Sequence, residues 1–325
     1  MPTPQQVHID QALTNISVAY IQSEQNFVAD KVFPIVPVQK QSDRYFVYSR
    51  DDFFRDEAQE RAAGTESAGG DYTIDSTPSY FARKYAYHHD VTEDVRVNAD
   101  SPLQPDQDAT IFVSQKLLLK RETLWAQNYF TSGVWGHEAQ GVASGPTGSQ
   151  VLQWDNGNSN PIDDISNAIV QVAQSTGYRP NVLVLGAPVF YALKNHPLIL
   201  DRIKYTQRGV VTADLLATLL EIEKVVVAWA VKNSAPRGAA ANNDFVLGKN
   251  ALLAYAAPNP GLRQPSAGYI FAWTGLEGAG AYGNRMLRIP MPWRGAGTER
   301  VEGEMAFDAK VVSADLGFFF SQVVA

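Results

Sequence analysis

Residues 106–130 read DQDATIFVSQKLLLKRETLWAQNYF. Pro105 stands in front of them, at a position where a missing amide costs a helix nothing. Asp106 or Asp108 can cap the first turn, and both suit the positive end of its dipole. Val113, Leu117 and Leu124 recur at the spacing of one helical face, as do Leu118 and Trp125, and Gly133 supplies a stop. The pattern predicts a helix over 106–130. At 1.5 Å per residue it would run ~37 Å, long enough to act as a structural spine.

Upstream of this helix, residues 42–90 hold ten of the 35 aromatic side chains: Tyr45, Phe46, Tyr48, Phe53, Phe54, Tyr72, Tyr80, Phe81, Tyr85 and Tyr87. Between them lies the small-residue stretch Ala62 to Gly70, with glycines at Gly64, Gly69 and Gly70. Tyr45–Tyr48 and Tyr80–Tyr87 carry strand-forming composition, so the segment is predicted to be a long hairpin with a wide, mobile tip. A two-stranded hairpin is marginal by itself and needs a surface to lie on, its own core or another subunit's. Residues 1–41 are polar as far as Asn26 and then apolar at Phe27, Val28, Val32, Phe33, Ile35, Val36 and Val38. Pro34 and Pro37 forbid a regular helix there, which predicts an extended arm docking along another surface.

Downstream, Gly133–Asn160 is rich in Gly, Ser and Asn and reads as loop. A helix is predicted from Pro161 to Gly177, with Ile165, Ile169 and Val172 on one face. Asn181–Gly186 reads as a buried strand. Short helices follow at Pro188–Asn195, Leu198–Tyr205 and from Thr212 to Leu220. Further strands are expected at Lys224–Val231, Phe245–Leu247, Ala251–Tyr255, Tyr269–Trp273, Val301–Val312 and Leu316–Val324. Helices and strands are mixed, so the class is α/β or α+β.

The 325 residues allow one large or two ordinary domains at ~150 residues each. Apolar residues make up 45% and charged ones 19%, a globular composition. The absence of cysteine removes disulfides, thiolate nucleophiles and Cys-ligated metals together. The longest apolar run, Val225–Val231, is far short of the ~20 residues of a spanning helix. The N-terminus carries no basic-then-apolar signal, so a cytosol-like compartment and no membrane partner are expected. A net charge of −7 argues against gripping phosphate backbones in bulk. The charge is unevenly spread. Residues 42–100 carry 7 basic and 13 acidic groups, whereas residues 176–300 carry 14 basic and 7 acidic ones. Such segregation is either ordinary surface variation or complementarity between copies of one chain, which would favour encounter and fix register.

Motifs of chemistry are weak. Gly278–Gly283 matches the glycine spacing of a dinucleotide loop, but Pro290 and Pro292 end any helix before its second turn. His88-His89-Asp90 on a strand would place two candidate ligands on one face, too few for a metal. His137-Glu138 lacks the second histidine of a zinc helix, since Gly141 stands there. Gly248-Lys249 lacks the upstream glycine of a phosphate loop. A Ser–His–Asp triad assembled only in space would use His196 as its base. The ordinary reading of His196 is a helix-end residue on the negative end of a dipole.

Phe27–Val38, Tyr45–Arg55, Arg61–Glu66, Asp108–Trp125, Arg179–Gly186 and His196–Tyr205 together resemble the major capsid proteins of tailed bacteriophages, in tone and order across nearly the whole chain. The resemblance implies an α+β Hong Kong 97-type fold. Residues 1–41 would be the N-terminal arm and 42–90 the extended loop lying over a neighbouring subunit. Residues 91–178 and 301–325 would form the peripheral domain with its spine helix, and 179–300 the axial domain. The function implied is structural, not enzymatic. The chain would self-assemble through pentamers and hexamers into an icosahedral shell around double-stranded DNA, in the host bacterial cytoplasm. No cofactor or metal is expected. The assembly interface would include Phe27, Phe33, Tyr45, Phe46, Phe53, Phe54, Gly64, Gly69, Gly70, Tyr80 and Phe81. Only about forty residues precede the loop, so a separate scaffolding protein is expected, with portal and decoration proteins as further partners and weak contact with DNA. Some members cross-link lysine to asparagine; Lys84 is the only lysine of the loop and sits in an expected strand, so no cross-link is anticipated. The alternatives are an encapsulin-type nanocompartment shell, or a hydrolase with a spatial triad.

Overall fold

A computed structural model describes residues 22–100, 103–204, 211–261 and 264–325. The first 21 residues of the expected arm, and Tyr205 at the end of one expected helix, lie outside the described residues. In chain order the first elements are α1 (Ala29–Val32), β1 (Ile35–Val38), β2 (Ser42–Arg44), β3 (Val47–Tyr48), α2 (Arg50–Phe53), β4 (Ile74–Asp75), β5 (Ser79–Phe81) and β6 (Arg83–Val91). Then come α3 (Glu93–Val97), α4 (Pro105–Tyr129), β7 (His137–Val142), β8 (Gln150–Leu152), α5 (Pro161–Thr176), β9 (Val182–Gly186), α6 (Ala187–Lys194), α7 (Pro197–Ile203) and α8 (Ala213–Leu219). The chain ends with β10 (Lys224–Ala228), β11 (Val231–Asn233), β12 (Asn243–Phe245), β13 (Ala251–Ala254), β14 (Gly268–Trp273), β15 (Asn284–Pro290), β16 (Glu299–Val311) and β17 (Gly317–Ser321).

Two sheets organise the molecule. Sheet 1 runs β1-β14-β16-β15, with β6 on the far side of β16. Met305 of β16 faces Asn284 of β15 on one side and Tyr85 of β6 on the other, which makes β16 the central strand. Sheet 2 runs β10-β9-β13-β17-β7-β8. Its middle strands are buried on both faces, which is why they read as unbroken apolar runs. Their side chains alternate between two cores. Leu183, Leu185, Leu253, Phe318 and Phe320 face the helices α5 to α8. Val182, Val184, Leu252 and Phe319 face the long helix α4 and sheet 1. Helix α4 therefore lies between the sheets, with Val113, Leu117 and Trp125 buried. Its close approach to sheet 1 depends on Gly303, where a Cβ would come within 2.5 Å of Val113 and 2.8 Å of Leu117.

The long helix begins one residue earlier than expected. Gln104 occupies the capping position without a side-chain bond, and Asp106 and Asp108 sit inside the first turn, favourable to its dipole. Helix α5 follows expectation: the Asn160 side chain accepts from the Asp163 amide, and Gly177 ends the helix in the left-handed region at φ 72°.

Four expectations are corrected. The described part of the arm, from residue 22 onward, is not free: α1 and β1 pack on the subunit, and β1 pairs in parallel with β14. The stretch 133–160 is not all loop: β7 pairs with β17 and β8 with β7, partners that no local propensity reveals. The strand expected over Lys224–Val231 breaks after Ala228, and β11 pairs separately with β12. The boundaries near 178 and 300 do not follow the sheets. Strands β14 and β15 from the expected axial segment lie in sheet 1, whereas β7, β8 and β17 from the expected peripheral segment complete sheet 2. The two strands of the hairpin were expected and are present, but β6 belongs to sheet 1, pairing Arg83–Val91 with Glu299–Phe307.

Candidate assembly surface

The hairpin is built in two short ladders. β2 pairs with β5 and β3 with β4, both antiparallel. The base is clamped by aromatic stacking. Tyr80 lies on Phe271 with ring centroids 4.5 Å apart, and Tyr45 lies on the same ring at 5.5 Å. The Phe81 amide donates to Asp308 at 2.9 Å. Burial pushes the Tyr45 and Tyr80 hydroxyls up, Asp308 adding to the effect on Tyr45 and Asp43 on Tyr80.

Beyond the base the hairpin makes few contacts with the subunit. Residues 53–77 are exposed throughout. Tyr48, Phe53 and Tyr72 form a ring triangle with centroids 5.9–6.2 Å apart. Even so, Phe53 stays 63% exposed and Phe46 67%. Phe54 leans on Gly177 at the end of α5, and Arg50 reaches Asp315 at 2.7 Å, so the tip is tethered to its own subunit at two points. Thr73 donates to Asp52 from both its amide and its hydroxyl, and Thr77 does the same to Asp75; these bonds hold both carboxyls below their usual range. Gly64 has φ 81°, and neither there nor at Gly69 would an added Cβ meet anything within 4 Å. At Gly70 it would meet only the end of the Glu57 side chain. Residues 51–73 carry seven carboxylates against two arginines, so the exposed tip is acidic as well as aromatic.

The candidate interface residues therefore divide. Phe46, Phe53, Phe54, Phe81, Gly64, Gly69 and Gly70 are exposed on the hairpin. Tyr45 is half-buried, and Tyr80 is buried at the base. Phe27 and Phe33 are corrected: they are 2% and 0% exposed in the subunit's own core. Phe33 is packed by Trp125, Tyr129 and Trp135. Burial of these apolar side chains holds the segment inward, and Glu122 of α4 satisfies its backbone there. Glu122 is fully buried, and its carboxylate accepts from the amides of Val28 and Ala29 at 3.0 Å. Desolvation pushes that carboxyl up to about 7, against the lowering pull of the two amide bonds and of Arg121. The neighbouring Arg121 pairs with Asp30 at 3.0 Å. Nothing in the sequence marks Glu122 as buried; it stands in a helix among charged neighbours.

The motifs of chemistry resolve into structure. His196 is buried one residue past the Asn195 cap of α6, where its amide donates to the Leu193 carbonyl, and it also caps the start of α7. Its Nδ1 accepts from the Leu198 amide at 3.3 Å, and its Nε2 lies 3.1 Å from Ser159 Oγ. With Nδ1 accepting, the neutral ring carries its proton on Nε2, so it cannot take one from Ser159. Ser159 in turn donates to the Asn156 carbonyl at 2.7 Å. The pair is a latch on the loop 156–160, not a nucleophile and its base. Asp90 accepts from Arg294 and Arg300, each at 2.7 Å. Glu138 accepts from the amides of Gly133, Val134 and Trp135. Gly278–Gly283 leads into strand β15, so the helix a dinucleotide loop requires is absent there. Among the described residues no cluster of three metal-ligating groups occurs, and no helix is long and apolar enough to cross a membrane.

No family model matches the chain. It is 27% identical over 274 residues to the major capsid protein of Burkholderia phage BcepMu, covering 80% of this chain and 82% of that one. It is 29% identical over 321 residues to the major capsid protein of Pseudomonas phage JBD67, covering 98% and 97%. Among solved structures, a phage-related protein from Bordetella bronchiseptica RB50 matches with TM-score 0.68 at 21% identity, over 93% of this chain and 94% of that one. The capsid of cyanophage P-SCSP1u matches at 0.62 and 9%, over 96% and 92%. The holo-SrpI encapsulin of Synechococcus elongatus matches at 0.58 and 11%, over 97% and 95%. These likenesses establish the mixed α/β Hong Kong 97-type fold that phage capsids share with encapsulins.

Proposed function

We propose that this chain, a phage major capsid protein of the Hong Kong 97-type fold, closes its shell by laying residues 42–82 of one copy over the next. The observation that carries the reading is the exposed run 53–77. It is aromatic and acidic and is carried beyond two short ladders, yet its own subunit uses almost none of it. A monomer has no use for Phe46 and Phe53 in water, and an extended hairpin lets modest cores create large buried interfaces. In this reading the segment containing sheet 2 and α5–α8 meets its copies around the axes of pentamers and hexamers, and sheet 1 with α4 forms the periphery.

The interior holds double-stranded DNA by weak contact, since a chain of net charge −7 does not grip phosphates in bulk. A separate scaffolding protein, a portal and decoration proteins complete the set of partners. An encapsulin-type compartment is the second reading, supported by the fold shared with the cyanobacterial encapsulin. The two differ in content, DNA against a peptide-tagged cargo protein. Electron microscopy of the purified protein, alone and with a scaffolding partner, tests the proposal. Closed shells or rings of five and six are expected; uniform small particles at every salt and pH would overturn it.

A further inference from the structure

We infer that Asn156 is a site of spontaneous modification. In the folded chain its side-chain amide condenses with the Gly157 backbone nitrogen, releases ammonia and ends as aspartate or isoaspartate. The inference is independent of the shell reading, and water is the only co-reactant. Asn156 is the only asparagine of the chain that is followed by glycine. Glycine has no Cβ to hinder the approach of its nitrogen, and its backbone turns freely. Asp155, Gly157 and Asn158 around it are exposed.

The loop leaves the reacting groups without competing bonds. The Asn156 carbonyl accepts from the Ser159 amide at 2.9 Å and from the Ser159 hydroxyl at 2.7 Å, and Ser159 is buried beside His196. A trans peptide unit points its N–H opposite to its C=O. With this carbonyl turned to Ser159, the Gly157 N–H is turned away, and it donates to no acceptor among the described residues. The Asn158 amide donates to Asn156 Oδ1 at 3.0 Å. That bond fixes which end of the side-chain amide is oxygen, and Nδ2 is left without a partner among the described residues.

The chemistry balances with water alone. Hydroxide takes the Gly157 N–H proton, and the nitrogen's electron pair attacks Asn156 Cγ. The C=O pair moves onto Oδ1, where the Asn158 N–H already stands as a donor to the developing oxyanion. When that pair returns, the Cγ–Nδ2 bond breaks; Nδ2 takes a proton from water and leaves as ammonia, which restores the hydroxide. A cyclic imide remains. Water then adds to either imide carbonyl, and the bond from that carbon to nitrogen breaks. Opening at Cγ gives aspartate, and opening at the backbone carbonyl gives isoaspartate. Either product puts a carboxylate where a neutral amide stood. Isoaspartate also lengthens the backbone by one carbon inside the latch that ends at Ser159.

The test keeps purified full-length protein folded at pH 8 and at pH 6, beside a sample unfolded in urea. Peptides are mapped by mass spectrometry, with an isoaspartate-specific methyl-transfer assay. In the folded samples Asn156 is expected to be converted ahead of every other asparagine, with isoaspartate among the products, and faster at pH 8 because hydroxide starts the reaction. Conversion in urea with the folded Asn156 left intact would overturn the inference, as would other asparagines of the folded chain keeping pace. Gly157→Ala is the control. Gly157 lies outside the left-handed region and an added Cβ there meets nothing within 4 Å, so the variant is expected to melt like wild type. Its Asn156 should stay largely unconverted over the same period, and conversion at the wild-type rate would overturn the inference. Should the variant melt lower, the comparison of folded with unfolded wild type decides by itself.

Discussion

At the scale of single residues, Glu122 joins sequence to stability most directly. Its burial raises the carboxyl to about 7 in the folded chain, against an ordinary value of 4.5. Between those values the unfolded chain has released its proton while the folded chain still holds it. Each step up in pH therefore favours unfolding, and stability falls from pH 4.5 to 7 and levels above. At about 1.4 kcal/mol per unit this amounts to ~3 kcal/mol. The melting temperature of the disassembled subunit is expected to drop from pH 5 to pH 8 by more in wild type than in Glu122→Gln, which has no proton to lose. Parallel curves would mean the carboxyl is ionised throughout. Trp125 gives a simpler case. It is 1% exposed, and its indole nitrogen has no hydrogen-bond partner among the described residues, so packing is its contribution there. Trp125→Ala is expected to cost ~3–5 kcal/mol in a denaturant titration; an unchanged midpoint would show that the cavity collapses without loss.

At the scale of elements, what could be read from the sequence was whatever a local pattern determines. Helix α4 and helix α5 carry their period and their ends in their own residues, and β9 announces its two-sided burial by an unbroken apolar run. The hairpin was legible because aromatics flank a glycine-rich tip. The partition into sheets was not, because β17 pairs with β13 and β7, far away in sequence, and periodicity reports a face without reporting its partner. The same gap misplaced Phe27 and Phe33. Their apolar character demanded a surface, and only the packing of Phe33 against Trp125, Tyr129 and Trp135, with Glu122 accepting from the amides beside Phe27, shows that the surface is their own. The hairpin tip yields an element-scale prediction. Residues 64–70 are all exposed, and their three glycines touch almost nothing in the subunit. Deleting them is expected to leave the subunit's melting temperature within about 1 °C, since surface changes away from such contacts cost within ±0.5 kcal/mol, while shell yield by electron microscopy falls. Normal shells from the shortened chain would remove the tip from assembly.

At the scale of the whole molecule the governing fact is the separation of charge. The segment that carries the hairpin holds 13 acidic groups against 7 basic, and the segment from 176 to 300 the reverse, 14 basic against 7 acidic. A uniformly acidic chain would repel its copies, whereas in the proposed shell this arrangement would turn the same −7 into attraction between unlike parts of neighbours. Covalent reinforcement is not needed for such a contact, nor is the loop built for it. Residues 53–77 contain no lysine, and Lys84 is committed to Glu304 at 2.8 Å, so a boiled denaturing gel of assembled shells is expected to show monomer only. Attraction of this kind acts at the range of the ionic atmosphere, ~10 Å at 0.1 M salt and ~3 Å at 1 M. Apolar contacts such as those of Phe46 and Phe53 are not weakened by salt in that way. Light scattering of assembling protein is therefore expected to show an initial rate that falls steeply between 0.1 and 1 M sodium chloride, because electrostatic steering governs encounter. The final yield should fall less, because the aromatic surface holds what has met. A rate that rises with salt would mean that like-charge repulsion between the acidic tips outweighs the complementary contacts, and the charge segregation would then have no part in bringing the copies together.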